Sequence, residues 1–412
     1  MWKNPVPFDR RLVWLALMTI SGCLTRNPAV CCETEGECET LGFSDPAPCK
    51  VGLCVANACV DEGCDGPEDC TDPGRPICEA SHCIVTPPPA TPPGCSITGG
   101  ERIVFVSDRD GDQEILAMPA DGGAATNLTD NVVPDFGPQA SSDGSAIAFL
   151  REEGKLDVII ADAFGADARN VSDDFNAESS VRWSPDMTRL AISAIDINGN
   201  GVVLAMNSDG TERVGPVTLA TSDNYDVGWS PDSARLSFGT ARFQPSPLFG
   251  VCTVARDGTD LMCPFSKACK TPVWSPAGID IAASSLGGGD PGTAPMQIWT
   301  TRTDSGSDRQ LTSFASGDST EPAWSNDGQQ LAFVHEGDIW TMGRDGYNER
   351  NLTMDGLSNA HPRWSADNNS LLYESVRGSK REVFRIGADG SNPTNLTNDG
   401  ADDHSAEWAR CP

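Results

Sequence analysis

Two short acidic segments carry oxygen ligands at the alternate spacing that suits a hard cation. The first is DRDGDQE, with Asp108, Asp110 and Asp112, and the second is DINGN, with Asp196, Asn198 and Asn200. Carboxylate and amide oxygens on a tight glycine loop are typical of calcium sites, although the closing bidentate glutamate of an EF-hand is missing from both segments. Because Asp, Asn and Gly are also good turn formers, a plain turn is the preferred interpretation. Calcium is the only cofactor that the sequence suggests.

The chain offers little for catalysis. It has four histidines, and it contains neither a G-x-S-x-G nucleophile motif nor an H-E-x-x-H zinc motif. His361 and His404 lie just before two copies of a repeated tryptophan motif, and they are the candidates for acid–base catalysis or metal binding. Without a matching nucleophile or ligand set, the sequence favours surface histidines and a protein that is not an enzyme.

Charge and cysteine content restrict the class of protein. The net charge of −30 argues against a nucleic-acid partner, whose phosphates would repel the chain. Sixteen cysteines indicate an oxidising compartment, and ten of them fall within residues 31–83. Zinc is the competing explanation, but no C-x-x-C pair occurs there. Residues 31–84 are therefore predicted to form a small disulfide module of open connectivity, followed by a stiff proline-rich linker over 85–94.

The first residues are typical of an export signal. Basic residues precede the short apolar stretch LVWLALMTI, which is too short to span a bilayer. The stretch ends in Ile20-Ser21-Gly22-Cys23, which resembles a bacterial lipobox. That resemblance implies a signal peptide over 1–22, lipid attachment at Cys23 and a tether over 23–30. Because Leu24 follows the cysteine, it also implies the outer membrane, with the protein facing the periplasm or the cell surface.

A tryptophan-turn phrase returns along the rest of the chain. It reads VGWSPDSARLSF at residues 227–238, and Ser-Pro-Asp suits a tight turn between two strands. The anchor positions are Ala140, Trp183, Trp229, Trp274, Trp324, Trp364 and Trp408. Their intervals of 43, 46, 45, 50, 40 and 44 residues match four-stranded propeller blades. A second phrase of the Asp-Gly type recurs in phase and closes another hairpin, so each unit reads as strands A, B, C and D.

These motifs resemble the TolB-type, WD40-like propeller repeat. The resemblance rests on W-S-P-D followed by an apolar strand, then on A-D-G and L-T, and it covers residues 101–410. It implies an all-β propeller over 95–412, with the repeated tryptophans packed between neighbouring blades. The separate α/β domain of TolB itself is not apparent in this sequence, so the partner of TolB is not carried over.

Motif counting predicts seven blades and a closed ring. The last strand A, around Trp408, has no strand B after it, and the first strand B, RIVFV, has no strand A before it. Pairing of these terminal strands would complete one blade and remove the exposed sheet edges. That closure brings Cys95 next to Cys411 and predicts a disulfide there. Hairpin counting also places Cys252 opposite Cys263 within bridging range, which leaves Cys269 free or in competition for Cys263.

The preferred function is a lipid-anchored, monomeric binding scaffold of the cell envelope. Short, repetitive A–B and C–D turns make one face of the disc uniform, whereas the variable B–C and D–A loops make the other suited to recognition. Acidic residues in the D–A loops favour a basic or cation-bridged partner, either an envelope protein or a polysaccharide. The alternative is a propeller lyase or hydrolase with its site near the central channel. The residues predicted for the binding face are Asp135, Glu178, Asp226, Glu321, His361, Asp403 and His404.

Overall fold

The protein divides into two compact units, residues Met1–Ala90 and Thr91–Pro412. The structure is a computed structural model that describes residues 77–79, 82–84, 92–95, 100–172, 178–196, 199–215, 224–243, 248–265, 267, 269–287 and 294–411. The predicted signal peptide, Cys23, the tether and most of the cysteine-rich module therefore lie outside the described residues. In the first unit, Ile77–Glu79 and His82–Ile84 form an antiparallel hairpin. None of the described residues belongs to a helix long and apolar enough to cross a membrane.

The second unit is a propeller of seven antiparallel sheets, which we number as blades. Blade 1 comprises His404–Arg410, Glu101–Ser107, Glu114–Pro119 and Thr126–Asn127 as strands A to D. Blade 2 comprises Asp135–Ala140, Ala146–Glu152, Leu156–Asp162 and Arg169–Asn170. Blade 3 comprises Glu178–Trp183, Arg189–Ile195 and Gly201–Asn207, and blade 4 comprises Asn224–Trp229, Arg235–Phe243 and Leu248–Ala255. Their outer edges are completed by single bridges, Ala205 with Val214 and Thr253 with Met262.

The remaining blades have all four strands. Blade 5 comprises Cys269–Trp274, Asp280–Ser285, Gln297–Arg302 and Asp308–Gln310. Blade 6 comprises Ser319–Trp324, Gln330–His335, Asp338–Gly343 and Arg350–Asn351. Blade 7 comprises Asn359–Trp364, Ser370–Arg377, Lys380–Gly387 and Thr394–Asn395. The predicted blade number of seven is thus confirmed.

Continuous apolar runs in strands B and C make the core. Residues 103–106 of blade 1 and 190–192 of blade 3 have no exposed surface, because neighbouring blades cover both sheet faces. Among the described residues, the buried apolar clusters each lie between two successive blades. The core is therefore a ring of blade interfaces rather than one central mass.

The repeated tryptophans join one blade to the next. Four of them donate the indole Nε1–H to a carbonyl in strand A of the preceding blade, each at 3.1 Å. Trp364, for example, bonds the Ala323 carbonyl and packs in the cluster between blades 6 and 7. The indole Nε1 atoms of Trp274 and Trp324 are buried without a hydrogen-bond partner among the described residues. The rings fill space between sheets, as predicted, and most of them add a directional bond.

The Ser-Pro-Asp segments form the predicted turns between strands A and B. In blade 4, the Ser230 hydroxyl donates to Asp232 at 2.6 Å and accepts the Arg235 N–H at 2.9 Å. The same serine–aspartate bond recurs in blades 2, 3, 6 and 7, at 2.6 to 2.7 Å. Five of the A–B turns therefore carry their own side-chain support, which explains why serine and aspartate recur two residues apart in this phrase.

Pairing of the two terminal strands of the propeller closes the ring. His404–Arg410 runs antiparallel to Glu101–Ser107, with Trp408 opposite Ile103 and Arg410 opposite Glu101. Cys95 and Cys411 form a disulfide at this joint, with their Cα atoms 5.6 Å apart. The chain thus uses both its non-local strand pair and a covalent bond to remove the free sheet edges.

The other cysteines of the propeller follow from hairpin register. Cys252 and Cys263 form a disulfide across the outer edge of blade 4, with Cα atoms 3.9 Å apart. Cys269 is free and buried. Burial raises the pKa of its thiol to about 12, so this thiol stays protonated at neutral pH.

Candidate functional site

The central channel is lined by the seven A strands, which contact one another in sequence around the ring. Positions in strand A are numbered backwards from the motif tryptophan, or from Ala140 in blade 2. The side chains five and two residues before this anchor are buried in every blade for which they are described. Side chains at positions three and one are partly or fully exposed. Both positions therefore face the axis. The residues three before the anchor form one layer, which we call the outer ring, and the residues one before it form a second layer, which we call the inner ring.

A bulge in strand A shapes the outer ring. Six blades have a residue here with φ between 51° and 55°, in the left-handed region: Gly137, Asp226, Thr271, Glu321, His361 and Ser405. The pairing of strands A and B shifts register at the same place in these blades. Five of the six residues are not glycine, and such a conformation persists only where surrounding bonds hold it.

Carboxylates of the channel help to fix the left-handed residues of the strand A bulges. Glu321 accepts the backbone N–H of His361 in the next blade at 2.7 Å, and Asp226 accepts that of Thr271 at 3.3 Å. Glu374, on strand B of blade 7, accepts the N–H of Ser405 in blade 1 at 2.7 Å. Burial raises the pKa of Asp226, and the Thr271 bond opposes that shift. These acids therefore link successive blades at the bulges.

The two predicted channel histidines have different environments. His361 is half-exposed, and its Nδ1 lies 3.2 Å from Glu374 Oε1. Its hydrogen bond to Glu374 raises the pKa of His361, although burial acts in the opposite direction. His404 is buried, with Nδ1 2.9 Å from the Ser405 hydroxyl, and burial together with nearby Arg381 lowers its pKa. His361 is therefore the one more readily charged, whereas His404 favours the neutral form.

The inner ring contains two arginines that the sequence interpretation overlooked. The members described are Gln139, Arg182, Gly228, Val273, Ala323, Arg363 and Glu407. Glu407 Oε1 lies 3.2 Å from Arg363 Nε and 3.1 Å from Gln139 Nε2, so one carboxylate joins blades 7, 1 and 2. The signal was present in the segments VRWSPD and PRWSAD, where arginine directly precedes the motif tryptophan.

Two predicted binding-face acids, Asp135 and Asp403, are not available to a partner. Both occupy the buried fifth position before the anchor residue and have no exposed surface. Asp135 accepts two 2.8 Å bonds from Arg151, and Asp403 accepts one from Arg109 at 3.2 Å. The prediction that they lie on an open acidic rim is wrong, because Asp135 is buried opposite Arg151 on the next strand of its own blade and Asp403 is buried against Arg109.

The other members of the predicted binding face have mixed placements. Asp226, Glu321 and His361 reach the channel, and His404 lies buried beside it. The side chain of Glu178 lies outside the described residues. The channel therefore brings together only part of the predicted set, and those acids already accept bonds from neighbouring blades.

The first predicted calcium loop has its oxygens in separate interactions. Asp108 binds the Lys380 ammonium at 2.6 Å, whereas Asp110 accepts the Asn127 amide at 2.7 Å. The buried Oδ2 of Asp112 has no donor among the described residues. Within that part of the chain, no three His, Cys, Asp or Glu side chains are grouped as a metal ion would require.

The second predicted loop forms a local turn. Asp196 accepts the backbone N–H of Asn200 at 2.9 Å and its side-chain amide at 3.1 Å, while Asn198 lies outside the described residues. Calcium binding at either loop therefore stays a prediction.

Comparison with known proteins agrees with the architecture. The family model of the TolB beta propeller domain matches residues 216–409. The Protein TolB homolog of Chlorobium luteolum is 28% identical over 151 residues, which are 36% of this chain and 34% of that protein. The match thus spans about a third of the length of this curated relative.

Two solved structures have similar architecture. An oligogalacturonate lyase in complex with manganese is 15% identical, with a TM-score of 0.57 over 69% of this chain and 85% of that one. The β-propeller domain of the Trilobed protease from Pyrococcus furiosus is 14% identical, with a TM-score of 0.57 over 74% of this chain and 94% of that one. At such identities the likeness shows the fold alone.

Proposed function

We propose that this chain, whose blades form a TolB-type β-propeller, is a lipid-anchored binding scaffold of the bacterial cell envelope. The TolB propeller family match and the TolB homolog support an envelope setting. The lipobox-like segment ending in Cys23 supports anchoring, and the cysteine-rich composition fits an oxidising compartment outside the cytoplasm. The partner is an envelope protein or a polysaccharide that contacts the face carrying the B–C and D–A loops.

The observation that carries this proposal is that the channel carboxylates bind the backbone of neighbouring blades. Asp226, Glu321 and Glu374 each accept a backbone N–H from the following blade. These carboxylates thus hold successive blades together at the strand A bulges. Loops of unequal length project from the ring of blades: the B–C turn of blade 6 has two residues, 336–337, whereas that of blade 5 runs over 286–296. Variable loops on a stiff frame suit recognition.

Exposed acids remain on this face after the buried ones are set aside. Glu153 and Glu336 lie in the B–C turns of blades 2 and 6, and both are exposed. Asp130 and Asp318, in D–A loops, are exposed as well. A basic or cation-bridged partner suits such a surface, although each single charge contributes little in water.

Affinity capture from the native envelope tests the proposal. The double variant Glu153→Lys and Glu336→Lys should lose most of the crosslinked partner recovered by the wild type. The matched control is Glu212→Lys and Glu349→Lys, which changes charge equally at exposed C–D turns on the opposite face. Equal recovery from both variants, at unchanged folding, would contradict binding through the loop face.

Membrane attachment has a separate test. Replacement of Cys23 by Ser should release the protein from the membrane fraction and abolish labelling by a radioactive fatty acid. Retention of the label in the Cys23→Ser variant would contradict the predicted lipidation site, and protease treatment of whole cells would tell the cell surface from the periplasm.

One observation favours the alternative, a propeller enzyme. The half-exposed His361 is hydrogen-bonded to Glu374 in the channel, which is an arrangement that a general base can use. If the purified protein cleaves a glycan or peptide and loses that activity when His361 is replaced by Gln, the enzyme replaces the scaffold as the preferred function.

A further inference from the structure

The inner ring of the channel contains a partly buried cation, Arg182, whose hydrogen-bonding capacity is largely unused. Among the described residues, the Arg182 guanidinium donates only to the Val181 carbonyl, at 3.0 Å. Burial lowers the pKa of Arg182 and Arg363 adds to that shift, whereas Glu407 and Asp226 oppose it. A guanidinium has five N–H donors in a fixed fork, so most of these donors are available to a ligand.

The neighbouring groups show which ligand would fit. Arg363 faces the same layer and shares Glu407 with Gln139. Asp226, in the outer ring, is already bonded to the Thr271 N–H and forms no hydrogen bond to Arg182 within the described part of the chain. Glu407 and Asp226 both act electrostatically on Arg182, but among the described residues neither accepts its N–H donors, so a ligand would be held by those donors rather than by an excess of positive charge. A dianion such as phosphate would be repelled more strongly by Glu407 than a monoanion.

A carboxylate meets these requirements. Its two oxygens match the planar guanidinium fork in a bidentate geometry, and charge-assisted bonds are stronger where water is partly excluded. The motif tryptophans lie directly beside the inner ring and hold the backbone of Arg182, because Trp229 Nε1 donates to the Arg182 carbonyl at 3.1 Å. Arg182 is therefore fixed at its backbone and free at its charged end.

We propose that the inner ring binds a single carboxylate group through Arg182, with Arg363 and Gln139 beside it. Two sources supply this chemistry, the C-terminus of a peptide and an acidic sugar. The site lies within the channel and is independent of the partner proposed for the loop face.

Ligand-observed NMR with the full chain tests the site. The probes are N-acetylalanine, which carries a free carboxylate, its amide, and glucuronate. The wild type should bind at least one of the two carboxylates and not the amide. The Arg182→Gln variant should weaken that binding by about tenfold or more, because it removes a charge-assisted pair. The Arg169→Gln control removes an equal charge from an exposed position and should leave affinity unchanged.

A second variant keeps the test decisive if Arg182→Gln does not fold. Glu407→Gln removes the competing carboxylate and should strengthen binding by several-fold. Binding of N-acetylalanine alone identifies a peptide terminus, and binding of glucuronate alone identifies an acidic sugar. The proposal is overturned if neither carboxylate binds at millimolar concentration, if the amide binds equally well, or if both variants bind as the wild type does.

Discussion

Removal of the Cys95–Cys411 disulfide should destabilise the propeller more than removal of the Cys252–Cys263 disulfide within blade 4. The first bond joins residues 316 positions apart, and the second joins residues 11 apart. In the chain-entropy relation, loops of these lengths correspond to roughly 5–6 and about 3 kcal/mol of stabilisation. The longer loop loses more freedom in the unfolded chain, so the two double variants should differ clearly.

The measured loss should be smaller than the relation gives, because native disulfides typically contribute about 2–5 kcal/mol. For a domain of about 320 residues, with an unfolding entropy near 2 cal/mol/K per residue, that range lowers Tm by about 3–8 °C. The perturbation is the double change Cys95→Ser and Cys411→Ser, with Cys252→Ser and Cys263→Ser as the matched control. Urea unfolding followed by tryptophan fluorescence, without reductant, provides the free energies.

A specific outcome would refute this reasoning. If Cys95→Ser with Cys411→Ser leaves the free energy of unfolding unchanged, or lowers it less than the blade 4 variant does, the disulfide does not stabilise the closed ring. Terminal strand pairing alone would then account for closure.

Three further predictions concern the blade interfaces and the channel. Trp364→Phe should lower the free energy of unfolding by about 1–2 kcal/mol more than Trp324→Phe, because only the Trp364 indole N–H has a carbonyl partner; thermal unfolding of both variants checks this. Burial raises the pKa of Asp403 to about 6, so its contribution to stability is present below pH 4 and is lost as pH rises through 6. The stability of the wild type relative to Asp403→Asn should therefore fall between pH 4 and 6, by up to roughly 3 kcal/mol, and a constant difference would contradict the shift. Cys269 should resist iodoacetamide at pH 8 in the native, non-reduced protein and react after unfolding, which mass spectrometry of its peptide would show.

Much of the architecture could be predicted from the sequence because it repeats. The tryptophan-turn phrase fixes the period, and counting its copies indicates seven blades and the joint between Trp408 and strand RIVFV. Register arithmetic across an Asp-Gly turn places Cys252 opposite Cys263, where the structure has a disulfide. These inferences needed only local pattern and chain order.

The environments of individual site residues were harder to foresee. Asp403 pairs with Arg109, 294 residues away, and no local pattern indicates such a contact. Glu321 and His361 have left-handed backbone conformations although neither is glycine, so the sequence does not indicate them. Contacts with neighbouring blades impose that conformation. The residue five before the tryptophan is buried in every blade for which it is described. This burial follows from the arrangement of the A strands around an axis, and the local sequence does not indicate it.

Site-specific photocrosslinking tests the scaffold account most directly. A benzophenone side chain would replace either Val132 or Met354, which are 91% and 74% exposed in D–A loops, or Phe164 or Tyr347, which are 39% and 66% exposed in C–D turns. After irradiation of living cells, the account predicts a discrete adduct from the two D–A positions and none from the C–D positions. Adducts confined to Phe164 and Tyr347 would contradict recognition through the loop face.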